Sequence, residues 1–329
     1  MICFKRYALL LLVLLCLLPC IGGCAKQDEE ELVYYTVTFD SNGGSPVEEQ
    51  RVLAGKKLTP VSAPMREGYL FDGWKTELGS FWSFENDYPS SDLSLRAVWI
   101  PATSVFAYEP IDDTTATVTA VRELRSELPV PQMLGGYTVV AIADGVFADT
   151  PSSKVQRISL PQTITSVGEE AFAGCENITI SFDPRAKLTE IGASAFLDCN
   201  RLSAISLGEG LREIFADTFF GCTALKEISL PSSLRRIEDN AFAKCDTLIT
   251  VMLFSHLTEI GDSAFKGCDS LRTVYYYGSE EQMTALKEHN TANQNDAFLR
   301  ATVYFYSETQ PTSDGNYWYM NENNRPKLW

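Results

Sequence analysis

Five cysteines recur in register along this chain: Cys175, Cys199, Cys222, Cys245 and Cys268, each three residues after Phe172, Phe196, Phe219, Phe242 or Phe265. A thiol can be a nucleophile, a metal ligand or half of a disulfide, so chemistry is sought here first. Each of those uses runs into geometry. Five is an odd number, and side chains on a ladder point the same way, about 4.8 Å apart, where a disulfide wants Cβ atoms about 3.8 Å apart. Zinc needs ligands that converge on one point, and a ladder spreads them along a line. A catalytic thiol needs a polarising base, and none recurs beside these positions. The row therefore predicts small, buried, reduced thiols filling one layer of a core.

The remaining candidates for chemistry are few. The chain has 2 histidines, His256 and His289, and neither has a nucleophile motif near it. Acids are plentiful, but no segment marks out a pair of carboxylates for glycoside hydrolysis. No phosphate-cradling glycine loop and no metal-ligand spacing is present, so no cofactor and no metal are expected. The formal charge is −16, and loss of residues 1–23, which carry Lys5 and Arg6 and no acid, takes it to −18. Such a body repels phosphate backbones, which argues against a nucleic-acid partner. The expectation is a protein that is not an enzyme.

What must position these residues is a repeat. The phenylalanines step by 24, 23, 23 and 23 residues, a period that marks units burying their apolar faces only by stacking on one another. Aligned on Phe, each unit reads Leu-x-x-Ile, four positions, Phe, two, Cys, two, Leu-x-x-Ile-x-Leu, with the cleanest copies starting at Leu211, Leu234 and Leu257. Val139 to Leu160 is a looser copy with Phe147 and Thr150 at the Phe and Cys positions. The Leu-x-x-Ile-x-Leu ending predicts a short strand, and Gly261 to Cys268 predicts one helical turn closed by glycine.

The recurring Ala-Phe-x-x-Cys in register with the leucines resembles the BspA-like leucine-rich repeats of bacterial surface proteins, over Val139 to Tyr277. The resemblance implies a leucine-rich-repeat solenoid with short helical turns, in residues 139–278. It also implies an N-terminal cap over 101–138 and a C-terminal cap over 279–329, because an end repeat otherwise shows its apolar face to water.

Residues between the apolar positions of each strand point out of the sheet. That row begins small and polar (Arg157 and Ser159, Ala204 and Ser206, Glu227 and Ser229) and ends in Met252, Phe254, Tyr275 and Tyr277. An outward aromatic patch marks a contact site, so these four form the candidate binding surface. The alternative is that the C-terminal cap covers them.

Ahead of the repeats, residues 34–100 alternate like strands around Asp40-Ser41-Asn42-Gly43-Gly44, a turn of residues that accept positive φ, with Phe39, Trp74, Trp82 and Trp99 available as a core. A carbohydrate platform is the other reading of those rings. The Asn-Gly-Gly turn, Arg66-Glu67-Gly68-Tyr69, Gly73-Trp74, Trp82-Ser83-Phe84 and the closing Trp99 together resemble the internalin B-repeat, which implies a small β-grasp-like module. The fold class is thus β-rich α/β. Residues 1–23 have a basic start, an apolar stretch and Ile21-Gly22-Gly23 before Cys24, resembling a bacterial lipoprotein signal, with 24–33 an acidic tether. The resemblance implies diacylation of Cys24 and anchorage to the membrane, with an ordinary signal peptide as the alternative. Taken together the resemblances imply an extracytoplasmic, adhesin-like protein that meets a protein or glycan ligand on host or neighbouring cells. A structural component of the cell envelope and a surface hydrolase are the alternatives.

Overall fold

The structure is a computed structural model that describes residues 32–289, 293–312, 315–323 and 325–329. Cys24 and the leader lie outside the described residues. No described helix is long and apolar enough to cross a membrane.

The first unit is a four-stranded sheet of β1 (Tyr34–Asp40), β2 (Gln50–Leu53), β3 (Tyr69–Lys75) and β4 (Leu93–Pro101), in the order β2-β1-β4-β3. β1 and β4 run parallel, and β2 and β3 flank them antiparallel. Val37, Phe39, Trp74, Leu95 and Ala97 alternate inward from these strands, and Leu58 closes the core from the β2–β3 connection. Trp82 and Trp99 are half-buried against it. These aromatics are therefore core residues. The turn after β1 is made as the sequence predicts, with Asn42 at φ 48° and Gly43 at φ 86°. A Cβ on Gly44 would sit 2.4 Å from the Trp99 ring, so the turn packs there only because that residue has no side chain.

No linker follows. β4 runs straight into the helix Ala102–Val105, and Leu70 of β3 joins Ala102, Val105 and Phe106 in the core of the repeat region. Arg125 pairs with Asp72 across the same junction.

From Glu127 onward the chain lays down parallel rungs. On one side Glu127–Pro129, Arg157–Leu160 and Thr179–Phe182 form one sheet, and Glu227–Ser229, Thr250–Phe254, Thr273–Tyr277 and Thr302–Tyr306 begin another. On a second side two-residue rungs repeat, for example Glu213–Ile214, Arg236–Ile237 and Glu259–Ile260. The first side is broken at 203–206, where the sequence predicts a strand like its neighbours. The cause is the connection after Phe182, which has two residues more than its counterparts before reaching Leu188. Leu188 rather than Phe182 then meets the next copy, through an isolated bridge to Leu207.

Between the two sides lies the Phe segment. It is not the helical turn that the sequence suggests. Residues 262–267 and their counterparts are turns, with left-handed residues two before and two after each Phe, such as Ser263 and Gly267 around Phe265 or Asp217 and Gly221 around Phe219. Intrahelical bonds are replaced by bonds between copies: the Phe172 N–H donates to Ala195 O, that of Phe219 to Ala241 O and that of Phe242 to Ala264 O, at 2.8–2.9 Å. A turn whose donors are satisfied by its neighbour exists only within a stack.

The C-terminal end is more than a lid. A helix spans Glu280–His289, with Met283 and Leu286 buried, and a second spans Asp296–Arg300. The second helix presents Phe298, which stacks on Phe265 at 5.5 Å and so adds a further ring to the column. Just before it, buried Asn295 stands in for the missing next copy: its Oδ1 accepts from the Phe265 N–H at 3.0 Å, and its Nδ2 donates to Gly261 O at 2.9 Å. Sequence reasoning missed this degenerate copy. Its Ala297-Phe298 and Ala301 repeat the motif, but Phe298 lies 33 residues after Phe265, beyond the period.

Candidate recognition face

The recurring thiols are the side chains of the stack best suited to covalent chemistry. All five cysteines are free and fully buried. Each thiol donates to the carbonyl of the previous copy's Phe: Cys175 Sγ to Phe147 O at 3.1 Å, Cys199 to Phe172 at 3.1 Å, Cys222 to Phe196 at 3.2 Å, Cys245 to Phe219 at 3.1 Å and Cys268 to Phe242 at 3.0 Å. The same carbonyls accept the backbone N–H three residues on within their own copy, for example Cys222 N to Phe219 O at 3.2 Å. Each oxygen thus uses both lone pairs, one within the copy and one between copies. Burial pushes the Cys175 and Cys268 thiols up to about 12 from 9.0 and raises Cys199, Cys222 and Cys245 as well. A thiol so held carries no thiolate at neutral pH. His256 bonds through Nδ1 to Ser232 O at 3.0 Å, at an exposed turn. Among the described residues no three His, Cys, Asp or Glu side chains gather as metal ligands would.

The outward side of the long strands is different in kind. Register puts Ser229, Met252, Tyr275 and Tyr304 in one row and Phe254 beside Tyr277 in the next. Met252 is buried at 9% exposure and is not free to meet a ligand; Phe254, Tyr275 and Tyr277 are half-buried. Phe254 stacks on Tyr277 at 4.5 Å with planes 2° apart, and Tyr277 meets Tyr306 at 4.4 Å. Trp318, from strand Tyr317–Met320, lies against Tyr275, Tyr277 and Tyr306 at 5.1, 4.7 and 5.2 Å. The four residues singled out from the sequence are therefore one cluster with Tyr304, Tyr306 and Trp318, and the C-terminal strands cover part of it. Those three were not found from sequence because they lie beyond the last regular copy, although Tyr304 and Tyr306 alternate as strand residues do. Trp318 is fully buried, and among the described residues its Nε1 has no hydrogen-bond partner, a loss of about 1–3 kcal/mol. Burial, then the neighbouring Tyr304 or Tyr306, raises the pKa of Tyr275 and Tyr277.

The two-residue rungs show the ordinary kind of surface. Arg236 reaches Glu213, Glu238 and Glu259 at 3.3–3.5 Å, all partly exposed, an ion ladder of small energetic weight.

The stacked copies coincide with a known family of repeats. Residues 140–272 match the BspA type leucine rich repeat region, in 6 copies. Residues 35–98 match the Listeria-Bacteroides repeat domain. The BspA-type region covers the thiol column and ends before the last strand of the aromatic cluster does. Among curated proteins, the chain is 41% identical over 71 residues to a protein of Evansella cellulosilytica named "Putative Gly-rich membrane protein", and equally to a second from that organism named "Putative membrane protein". Those 71 residues are 21% of this chain but only 8% and 11% of the two relatives, so the chain spans a small part of their length. Among solved structures, a leucine-rich repeat protein of T. pallidum is 27% identical, covering 54% of this chain and 70% of that one, with a TM-score of 0.36. A leucine-rich cell surface protein of Faecalibacterium prausnitzii is 24% identical over 52% of this chain and 53% of its own, with a TM-score of 0.42.

Proposed function

We propose that this chain is a non-catalytic, lipid-anchored protein of the bacterial cell surface that recognises a protein or glycan through the outward face of its repeat solenoid. On this reading Cys24 carries the acyl chains, the β-grasp-like module holds the solenoid off the membrane, and the ligand meets Phe254, Tyr275, Tyr277 and their neighbours Tyr304 and Tyr306. The observation that carries it is the contrast in reactivity and exposure. The recurring thiols are sealed inside the stack with raised pKa values, whereas large aromatics stand half-open on the outward side of the long strands. Half-exposed aromatic rings supply large contact area at small entropic cost, the property that concentrates binding energy at interfaces.

A glycan and host-protein array probed with the intact chain and with a Phe254→Ser/Tyr277→Ser variant tests the recognition. Capture by the parent and its loss in a variant that still melts as one folded species supports the reading. Binding only to envelope extracts supports the structural-component alternative, and turnover of any arrayed glycan or peptide revives the hydrolase. The anchor has its own test: incorporation of labelled palmitate that disappears in Cys24→Ser.

A further inference from the structure

A second surface lies on the first module, away from the repeat face. β1, β3 and β4 with the turns after β1 and β3 enclose an open groove of about 740 Å³, a volume in the range of small-ligand sites. Its charge is unlike the rest of the molecule. The chain carries 43 acids against 27 lysines and arginines, yet Arg66 and Lys75 both line this groove without an ion-pair partner among the described residues. Each is fixed by an aromatic ring instead: the Arg66 guanidinium lies 4.1 Å over Tyr69, and the Lys75 ammonium 4.4 Å over Phe81. Arg66 Nη1 donates to Asn42 O at 3.3 Å, and no described residue bonds the Nε–Nη2 edge, which can meet a planar two-oxygen acceptor. Asp40, on the same wall, is already answered by Arg96 at 3.3 Å, which leaves Glu77 as the groove's acid without an ion pair among the described residues.

Asn42 on this wall is already bonded at both ends, its Oδ1 accepting from Arg96 at 2.9 Å and its Nδ2 donating to Ala97 O at 3.2 Å. Thr76 Oγ1 donates to Ser80 O at 3.4 Å, so the groups left to bond hydroxyls are Ser94 and the lone pairs of Thr76. Two positioned cations, one acid and two hydroxyls suit a ligand with one carboxylate and several hydroxyls. A dense polyanion would meet Glu77 and the acidic body of the protein. We propose that this groove binds a carboxylate-bearing sugar, with Arg66 and Lys75 on the carboxylate and Glu77, Thr76 and Ser94 on ring hydroxyls.

The site is independent of the repeat face, and a local readout keeps them apart. Titration of the intact chain with trigalacturonate, followed by calorimetry and by the indole N–H signals of Trp99 and Trp318, is expected to show binding that moves Trp99 and leaves Trp318 in place. Arg66→Gln and Lys75→Gln should each weaken it about tenfold at an unchanged melting temperature, while Glu77→Ala weakens it less. A neutral galactose trisaccharide should bind at least about tenfold more weakly. Absence of binding, equal affinity for the neutral sugar, or a shift confined to Trp318 overturns the proposal. So does triglutamate binding as tightly as the sugar, which would make the groove a peptide site.

Discussion

Two rows of rings run through this molecule, and they obey different rules. The Phe column from Phe147 to Phe265 stacks at 5.0–5.5 Å with planes within 10° of parallel, and every ring is fully buried. The outward cluster from Phe254 to Trp318 has centroids 4.4–5.9 Å apart, but planes from 2° to 80°, and most of its rings are half-open. In the column each ring is the surface on which the next one packs, so every copy must supply the same residue at the same height. On the outward side stacking makes no such demand, and register brings Ser229, Met252, Tyr275 and Tyr304 into one row. The repeat fixes its inner layer and leaves its outer layer free to vary, which is where a ligand preference can be written.

That contrast can be broken at several strengths. Alkaline pH should act most strongly. The thiols' folded pKa values lie above their ordinary 9.0, so their contribution is complete below pH 9 and is lost as pH climbs towards 12, at about 1.4 kcal/mol per pH unit for each thiol. Denaturant melts from pH 8 to 11 should show stability falling throughout the upper part of that range. Phe219→Ala should cost about 3–5 kcal/mol, since it opens a cavity between Phe196 and Phe242. Asn295→Ala should cost about 2 kcal/mol, because the buried Phe265 N–H and the part-buried Gly261 O both lose a partner. Its amide exchange should rise at the C-terminal end first. Cys222→Ser keeps a donor for Phe196 O but buries a more polar atom, and should cost about 1–2 kcal/mol with ligand capture unchanged. Tyr277→Ala should cost least, about 1 kcal/mol of stability, while lowering capture on the array. If Tyr277→Ala and Phe219→Ala unfold the protein equally, the two rows are not different in kind.

Much of this was legible in the sequence for one reason: stacking turns a period into a position. The Phe–Cys spacing placed two layers of core, and alternation in Leu-x-x-Ile-x-Leu told which side chains face out. What escaped depends on neighbours in space. The Phe segment reads as a helical turn until the next copy's carbonyls are there to accept its N–H groups. The thiol's bond to the previous Phe carbonyl depends on the height of one copy over another, which no single copy reveals. The strand missing at 203–206 follows from a longer connection one copy earlier. Asn295, Phe298 and Trp318 lie past the end of the period, so a pattern search stops before the residues that finish the column and partly cover the aromatic cluster.

The most direct test is thiol labelling read peptide by peptide. The intact chain is exposed to a small alkylating reagent at pH 8, before and after addition of denaturant. Stacked copies predict that Cys175, Cys199, Cys222, Cys245 and Cys268 all stay unlabelled while folded and react together on unfolding. Labelling of even one of the central three in the folded protein would mean that the column is open, and the separation of sealed layer from recognition face would not hold.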